Sequence, residues 1–202
     1  MPSLARVLIG STCAGCGVLG PVVCGACERC LEHAPALPPP TDVDAWSALL
    51  RYDPAARVLL TGLKNGQRRD LVAWLADGLV RLVPAPPPAV LTWAPTAPAR
   101  RRARGFDQAE LLARSLARRW GLPCRGLLQR RPGPAQAGRG ASERRAHPGF
   151  RAVRAVPPSV LVVDDVATTG ATLGAAAQTL RQAGAAEVRA VVGALSLPRS
   201  RH

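Results

Sequence analysis

Two adjacent carboxylates, Asp164 and Asp165, follow directly on the apolar, mostly β-branched run at 160–163. Neighbouring like charges disfavour joint ionisation unless a cation or hydroxyl donors are at hand. An acidic pair at the end of a buried strand therefore lowers the stability of the fold unless it binds a ligand. This pattern predicts a binding site at the acidic pair.

The residues after the acidic pair have the opposite electrostatic character. Successive backbone N–H groups around Gly170, the hydroxyls of the nearby threonines and the N-terminus of the following helix form a nest for a phosphate. Carboxylates beside a phosphate nest predict a ribose 5-phosphate site, in which Asp164 and Asp165 hold the diol oxygens. The predicted phosphate loop comprises Val166, Ala167, Thr168, Thr169, Gly170, Ala171 and Thr172. A plain helix-capping loop is the alternative, whereas a Walker loop and a dinucleotide fingerprint are excluded because their glycine patterns are missing.

A second group of chemically capable residues lies near the N-terminus. Cys13, Cys16, Cys24 and Cys27 form two pairs with two residues between the members of each pair, a spacing that lets each pair wrap one tetrahedral ion. Disulfides do not persist in a reducing cytoplasm, so the pattern favours a structural Zn²⁺ site closed by four thiolates. Cys30 could replace one ligand or simply pack. Cys124 stands far away in the sequence, and its role is left open.

The elements that must position the acidic pair form a strand–helix–strand unit. The run at 160–163 predicts the first strand, apolar residues at helical spacing from Leu173 to Leu180 predict a helix closed by Gly184, and 188–192 predicts the second strand. Such a unit implies a parallel sheet covered on both faces. Ligands bind beyond the carboxyl ends of its strands, where Asp164 and Asp165 stand.

Further elements are predicted upstream of this unit. Apolar spacing predicts helices over 71–82 and 109–120, the second of them capped by Asp107 and ended by Gly121, and a strand over 89–94. Residues 125–149 lack any period and are expected to form a long loop. The whole chain is thus predicted as an α/β protein with a parallel sheet flanked by helices. We divide it into a four-Cys zinc module at 1–31, a proline-rich linker at 32–45 and the α/β domain at 46–198.

The charge of the chain is strongly positive and unevenly distributed. Its formal net charge is +14, and residues 98–154 contain 15 Arg against three acidic residues. Such a segment attracts nucleic acid or a heavily phosphorylated small molecule. No apolar run approaches the length of about 18 residues that spans a bilayer, and the apolar stretch at the N-terminus is too short for a signal peptide, so we expect a cytoplasmic protein without membrane insertion.

The motifs occur in a fixed order along nearly the whole chain. They are Cys13 to Cys27, Leu63-Lys64-Asn65-Gly66, Arg100-Arg101-Arg102, Arg104-Gly105-Phe106-Asp107-Gln108, Gln136 before Glu143-Arg144, and Val163-Asp164-Asp165. The segment from Val160 to Leu173, which contains the last of these motifs, resembles the phosphoribosyl pyrophosphate signature of type I phosphoribosyltransferases. The complete set resembles the ComF family, which is associated with competence and DNA uptake. Asp107 stands where that family favours Asn.

This resemblance implies a transferase that binds Mg²⁺ and phosphoribosyl pyrophosphate, with Asp164 and Asp165 as the catalytic carboxylates. It also implies a pyrophosphate-binding role for the cations Lys64, Arg100, Arg101, Arg102 and Arg104. Forked guanidinium groups suit such an anion. No histidine is placed as a general base, and His147 in the irregular loop is interpreted as a bystander.

Three functions remain open at this point. The chain is a phosphoribosyltransferase of nucleotide metabolism with an unidentified nitrogen acceptor, a non-catalytic nucleic-acid accessory protein for DNA uptake, or a sensor that binds phosphoribosyl pyrophosphate without turnover. The intact acidic pair and phosphate loop favour the first and third. The partners expected are accordingly phosphoribosyl pyrophosphate or a nucleotide and, under the second hypothesis, single-stranded DNA and DNA-uptake proteins. Only 3% of the residues are aromatic, which disfavours strand binding by stacking.

Overall fold

The computed structural model describes residues 11–65, 68–83, 87–131 and 149–197. Gly66, Gln136, Glu143, Arg144 and His147, which the sequence analysis named, lie outside these residues. The described elements are α1 (Gly25–Arg29), β1 (Ala45–Arg51), α2 (Pro54–Lys64), α3 (Leu71–Val80), β2 (Val90–Trp93), α4 (Pro98–Arg104), α5 (Gln108–Trp120), β3 (Leu128–Arg130), β4 (Phe150–Ala152), β5 (Ser159–Ala167), α6 (Ala171–Gln182) and β6 (Glu187–Leu195).

A four-stranded sheet with the order β1-β6-β5-β2 forms the centre of the molecule. All three strand pairs are parallel, which confirms the predicted parallel sheet and the β5–α6–β6 unit. The register sets Trp93 opposite Val163 and Asp164 opposite Val192. The carboxyl ends of β2, β5 and β6 therefore meet at one edge of the sheet, and the acidic pair lies at that edge.

Helices cover both faces of the sheet. Consecutive residues of β5 point to opposite faces and therefore pack against different helices. Leu161 and Val163 pack into the core that contains the apolar faces of α3 and α5. Val160 and Val162 pack into a second core with α6. Burial on both faces explains why this strand is an unbroken apolar run. Among the described helices, none is long and apolar enough to cross a membrane.

The predicted helices are confirmed with small shifts of their ends. The helix predicted over 71–82 is α3, and the one predicted over 109–120 is α5. Asp107 caps α5 by accepting a hydrogen bond from the Ala109 N–H, and Gly121 ends it with a φ of 65°. β5 continues to Ala167, so Val166 and Ala167 of the predicted phosphate loop belong to the strand. Pairing with β6 extends beyond the apolar run because the ladder bonds only the backbone.

The prediction of one long loop over 125–149 is wrong near its start, where β3 lies within the predicted range, whereas β4 begins directly after its predicted end. β3 pairs antiparallel with β4, with Arg130 opposite Phe150 and Leu128 opposite Ala152. Leu128 and Phe150 are buried in the α6-side core, and this burial holds the short strands in place. Two strands of three residues carry too little periodic signal to be found from the sequence. Residues 132–148 lie outside the described part of the chain.

The N-terminal cysteine segment packs against the α/β domain. Val23 is 5% exposed and belongs to the core beneath α3 and α5. The Arg68 Nη2 donates to the Thr12 carbonyl at 2.5 Å, and the same side chain pairs with Asp70. Between these two parts, Val43 of the proline-rich segment is buried. The exact division at residues 31 and 45 remains a prediction.

Candidate functional site

The acidic pair ends β5 with its two carboxyl groups in different surroundings. Asp164 is 9% exposed, and Asp165 is half-buried. The Asp164 Oδ1 accepts from the Asp165 N–H at 2.8 Å, and the Asp165 Oδ1 accepts from the Val166 N–H at 2.9 Å. Burial, followed by the neighbouring charge of Asp165, raises the pKa of Asp164 well above its ordinary value. Asp164 therefore favours its protonated form as long as no cation compensates its charge.

The backbone of β6 passes close to the acidic pair. A Cβ atom at Gly193 would lie 2.8 Å from the Asp165 carbonyl oxygen, so only glycine fits there without a shift of the strands. β5 and β6 are thus drawn together beside the acidic pair.

The loop after β5 leads into α6 through Gly170, which has a φ of 75°. Thr168 and Thr169 are exposed, and the Thr169 Oγ1 accepts from the Ala171 N–H at 3.4 Å. The first N–H groups of a helix have no acceptor within the helix and are available to an anion. A cleft of about 660 Å³ opens between this loop and the segment at 39–42. The threonine hydroxyls and the α6 N-terminus thus lie at the same sheet edge as the acidic pair.

Lys64 is the cation nearest to the acidic pair in the described structure. It is the last residue of α2, and its Nζ lies 3.6 Å from the Asp165 Oδ2. This position lets the side chain reach over the carboxyl ends of the strands.

The four arginines of the predicted pyrophosphate group lie on α4, and their side chains differ in exposure and in contacts. Arg104 is half-buried and donates from Nη1 to the Gln108 Oε1 at 3.2 Å. Arg101 is exposed and pairs with Glu110 at 3.2 Å. Arg100 and Arg102 are exposed as well. Arg104 is therefore held by Gln108, whereas Arg101 contacts Glu110 of α5.

Asp107 and Gln108 connect the parts of the site that come from different elements. Both are 2% exposed. The Asp107 Oδ2 accepts from the Thr96 N–H at 2.8 Å, and the Gln108 Nε2 donates to the Lys64 carbonyl at 3.4 Å. Burial is the main cause that raises the pKa of Asp107. The sequence analysis saw Asp107 only as a helix cap, because its second partner comes from the loop after β2.

Arg130 is a further cation near the acidic pair that the sequence analysis missed. It ends β3, and its Nη1 donates to the Pro95 carbonyl at 3.5 Å. Its guanidinium lies over the ring of Phe150, with 5.6 Å between Cζ and the ring centre. Burial, followed by the charge of Arg100, lowers the pKa of Arg130, and the charge of Asp164 opposes this shift. In an arginine-rich segment no sequence signal distinguishes this residue from its neighbours.

The four predicted zinc ligands form one compact group. The Sγ atoms of Cys13, Cys16, Cys24 and Cys27 all lie within 4.8 Å of one another, and those of Cys16 and Cys24 are 3.7 Å apart. Two thiolates on one tetrahedral zinc lie about 3.8 Å apart, given a Zn–S bond of about 2.3 Å. The geometry is compatible with a zinc module. Cys30 is exposed and is not one of the four clustered cysteines.

Backbone N–H groups stabilise the thiolate form of a cysteine in the cluster. The Cys13 Sγ accepts from the N–H groups of Cys24 at 3.3 Å and Gly15 at 3.4 Å. Hydrogen bonds from backbone N–H groups, that of Cys24 first, lower the pKa of Cys13 to about 6. Interaction with the neighbouring sulfurs, Cys13 first, raises the pKa of Cys27 to about 12. A cation shared by the four sulfurs would relieve this crowding of negative charge.

Residues 109–197 match the family model described as the phosphoribosyl transferase domain. The fold is that of the type I phosphoribosyltransferases. The matched residues extend from α5 to the end of β6 and contain the acidic pair and the phosphate loop. The match covers somewhat less than half of the chain. No curated protein matches the chain.

Several solved structures are similar to this chain at low identity. The allosteric regulatory enzyme of purine biosynthesis is 24% identical with a TM-score of 0.43, over 64% of this chain and 26% of its own length. Adenine phosphoribosyltransferase from Leishmania tarentolae is 20% identical with a TM-score of 0.40, over 67% and 74% of the two chains. Hypoxanthine phosphoribosyl transferase from Trypanosoma cruzi is 16% identical with a TM-score of 0.40, over 65% and 74%. This chain thus spans about a quarter of the length of the first of them.

Proposed function

We propose that this protein binds phosphoribosyl pyrophosphate with Mg²⁺ and transfers the phosphoribosyl group to a nitrogen acceptor. One observation carries the proposal. The β5–α6–β6 unit sets Asp164 and Asp165 and the N-terminus of α6 at one sheet edge, within the residues that match the phosphoribosyl transferase domain. Carboxylates and an anion nest at this spacing suit the hydroxyls and the phosphate of one ribose 5-phosphate.

On the ribose side, the carboxyl oxygens of Asp164 and Asp165 accept hydrogen bonds from the ribose hydroxyls. The 5-phosphate is bound by the backbone N–H groups and hydroxyls at 168–172, where the positive end of the α6 dipole favours negative charge. Gly170 permits this turn because its φ of 75° would strain a residue with a side chain.

On the diphosphate side, Lys64 and Arg104 provide the positive charge nearest to the site. Lys64 already contacts Asp165, and Gln108 links Arg104 to the Lys64 backbone. Arg100 and Arg102 extend from α4 without a hydrogen bond or ion pair within the described residues, and Arg101 would have to leave Glu110 to take part. Fixed cations aimed at a leaving diphosphate stabilise the charge that develops on it.

The residues at the acidic pair fit a divalent cation. Their oxygens are the ligands that Mg²⁺ prefers, and a cation beside them would offset the repulsion between the two neighbouring carboxylates. Bound Mg²⁺ would neutralise negative charge on the diphosphate and the ribose oxygens. Asp164 and Asp165 would hold it there, and the α4 arginines would not compete for the same oxygens.

In the proposed reaction, the bond between C1 of the ribose and the diphosphate oxygen breaks, and a bond between C1 and the acceptor nitrogen forms. The diphosphate leaves with the electron pair of the broken bond, and the proton released by the nitrogen passes to water. The protein contributes position and charge, since the described residues near C1 are carboxyl groups and cations.

Calorimetric titration with phosphoribosyl pyrophosphate and Mg²⁺ tests the binding step. We expect the wild-type protein to bind and the double variant Asp164→Asn, Asp165→Asn to lose at least about tenfold in affinity, because each carboxylate makes charge-assisted contacts. Glu32→Gln is the matched control, since it removes an exposed carboxylate that pairs with Arg51 and with none of the residues proposed to bind the ligand. Equal binding by the double variant would overturn the proposed site. Release of diphosphate in the presence of nitrogen bases then tests the transfer.

Membership in the narrower ComF family and a cytoplasmic location are part of this proposal. The order of the cysteine, lysine, arginine and acidic motifs along the chain supports them. Four clustered cysteine sulfurs without a disulfide fit a reducing compartment.

A nucleic-acid accessory role is the second candidate, and the exposed arginines of α4 favour it. Arg100 and Arg102 face solvent and are free to contact phosphates. If they bind single-stranded DNA, the affinity of the protein for DNA should fall steeply between 50 and 200 mM salt, by the loss expected for several phosphate contacts. The substitution Asp164→Asn should leave this affinity unchanged. A flat salt response in fluorescence anisotropy would count against this role.

A further inference from the structure

Arg130 enters the candidate site from the β3–β4 hairpin. Its guanidinium donates to the carbonyl of Pro95, the second residue after β2. β2 pairs with β5 through Trp93 and Val163, and the Ala94 N–H donates to the Val163 carbonyl at 3.1 Å. Pro95 and Asp164 therefore follow neighbouring, paired residues at the same sheet edge. The hairpin delivers Arg130 to the edge that carries the acidic pair.

The hairpin approaches from the opposite side of the sheet to Lys64. Leu128 and Phe150 pack in the core with α6, together with Val160 and Val162 of β5. Asp164 follows the same alternation as Val160 and Val162, whereas Asp165, which contacts Lys64, belongs to the other face. Arg130 and Lys64 thus stand on opposite sides of the acidic pair.

Arg130 is half-buried without a direct ion pair among the described residues. Its contacts there are the Pro95 oxygen and the Phe150 ring, neither of which carries a charge. The charge of Asp164 acts on Arg130, and the charge of Arg100 opposes it. Partial burial of a cation without a directly paired anion is unfavourable, and an anionic ligand would relieve this cost. A forked guanidinium placed over an aromatic ring is well suited to a phosphoryl group.

We propose that Arg130 is a ligand-binding residue that contacts the diphosphate of phosphoribosyl pyrophosphate, on the side of the acidic pair opposite Lys64. This inference rests on the proposed function and adds to it a residue from an element that the sequence does not predict. The diphosphate is then held from two sides, by Lys64 and Arg104 on one and by Arg130 on the other.

The test compares three ligands by calorimetry: phosphoribosyl pyrophosphate with Mg²⁺, inorganic pyrophosphate with Mg²⁺, and ribose 5-phosphate. We expect Arg130→Met to weaken the first two by at least about tenfold, because a charge-assisted contact is lost, and to change ribose 5-phosphate less than about twofold. Arg151→Met is the matched control, since Arg151 lies on the partner strand, is exposed and contacts only Gln129 among the described residues. Arg130→Lys keeps the charge without the fork and should fall between Arg130→Met and the wild type.

Each outcome decides one of the two proposals. If the wild type binds phosphoribosyl pyrophosphate and Arg130→Met binds it equally well, the role of Arg130 is refuted and the proposed function stands. If Arg130→Met weakens ribose 5-phosphate as much as the other ligands, a specific diphosphate contact is refuted. If the wild type binds none of the three, the proposed function fails and Arg130 loses its role with it. Thermal unfolding of all variants shows whether Arg130→Met is folded; should it not be, Arg130→Lys carries the comparison, and equal affinity of Arg130→Lys and wild type for pyrophosphate would overturn the need for a guanidinium.

Discussion

At the scale of single residues, Asp164 links the binding chemistry to the stability of the fold. Burial and the charge of Asp165 hold its pKa in the folded chain above that in the unfolded chain. The folded state therefore binds more protons than the unfolded state between about pH 4 and the raised pKa, and stability falls as the pH rises through this range.

We expect Asp164→Asn to be more stable than the wild type at pH 8, because the amide carries no charge to bury. The gain should shrink at pH 5, where the wild-type carboxyl holds its proton, and each 1 kcal/mol corresponds to roughly 2–4 °C in a chain of this size. Thermal unfolding of both proteins at the two pH values, without ligand, measures this. A difference in melting temperature that does not depend on pH would show that Asp164 is not the titrating group.

Gly170 gives a second prediction for a single residue. A Cβ atom there would lie 2.4 Å from the Pro40 Cγ, and the φ of 75° is strained for other residues. We expect Gly170→Ala to destabilise the chain by about 1–2 kcal/mol in urea unfolding and to weaken ribose 5-phosphate, since the turn before α6 must shift. Gly149→Ala is the control, because its Cβ would have only ordinary contacts, at 3.6 Å or more. Unchanged ribose 5-phosphate affinity in Gly170→Ala would separate this turn from the binding site.

At the scale of elements, the turn after α4 together with the first residue of α5 fixes α2 relative to the arginines. Gln108 contacts the Lys64 carbonyl and Arg104, and Phe106 lies 4.6 Å from the Arg69 guanidinium. Two separate contacts thus join this turn to the end of α2 and the start of α3.

We expect Gln108→Leu to destabilise the chain by about 1–3 kcal/mol, because it leaves the Lys64 carbonyl without its partner. It should also weaken phosphoribosyl pyrophosphate more than ribose 5-phosphate, since Lys64 and Arg104 lose their common support. Calorimetry with both ligands and urea unfolding measure the two effects. An equal loss for both ligands would indicate a general structural role for Gln108, and Ser115→Ala on the same helix controls for altered packing of α5.

The cysteine cluster depends on a close approach within its first turn. A Cβ atom at Gly15 would lie 2.7 Å from the Cys27 Sγ, whereas one at Gly25 would meet only an arginine side chain at 3.6 Å. We expect Gly15→Ala to lower the affinity for Zn²⁺ at least about tenfold, because the sulfurs must separate from their tetrahedral spacing, and Gly25→Ala to leave it unchanged. Competition with a chromophoric chelator measures both. Equal zinc affinity in the two variants would contradict this geometry.

At the scale of the whole molecule, the cysteine segment and the α/β domain share a core. Val23 from between the cysteine pairs is buried with residues of α3 and α5, and Arg68 joins the two parts. We therefore expect removal of Zn²⁺ by a chelator to lower the melting temperature of the entire chain in one transition, because a bound metal stabilises every part that unfolds with it. Calorimetric scans with and without chelator test this. An unchanged main transition after complete metal removal would mean that the two parts unfold independently.

Features that depend on local spacing could be predicted from the amino-acid sequence. Periodicity identified β5, α6 and β6, because burial on both faces makes such a strand uniformly apolar and a helix shows its buried stripe every three to four residues. The Cys-x-x-Cys pairs identified the thiolate cluster for the same local reason, and Asp107 marked the start of α5. Since parallel strands end at a common edge, these elements also indicated where the acidic pair and the phosphate loop would lie.

Which of the many arginines approach this edge depends on contacts that form only in the folded chain. Arg104 is held by Gln108, Arg101 by Glu110, and Arg130 arrives on a hairpin whose two strands are separated by 19 residues in the chain. β3 and β4 are stable only because Leu128 and Phe150 are buried against α6, an interaction that no local pattern encodes. A guanidinium has the same composition wherever it stands, so its role depends on contacts between residues distant in sequence, and these exist only once the chain has folded.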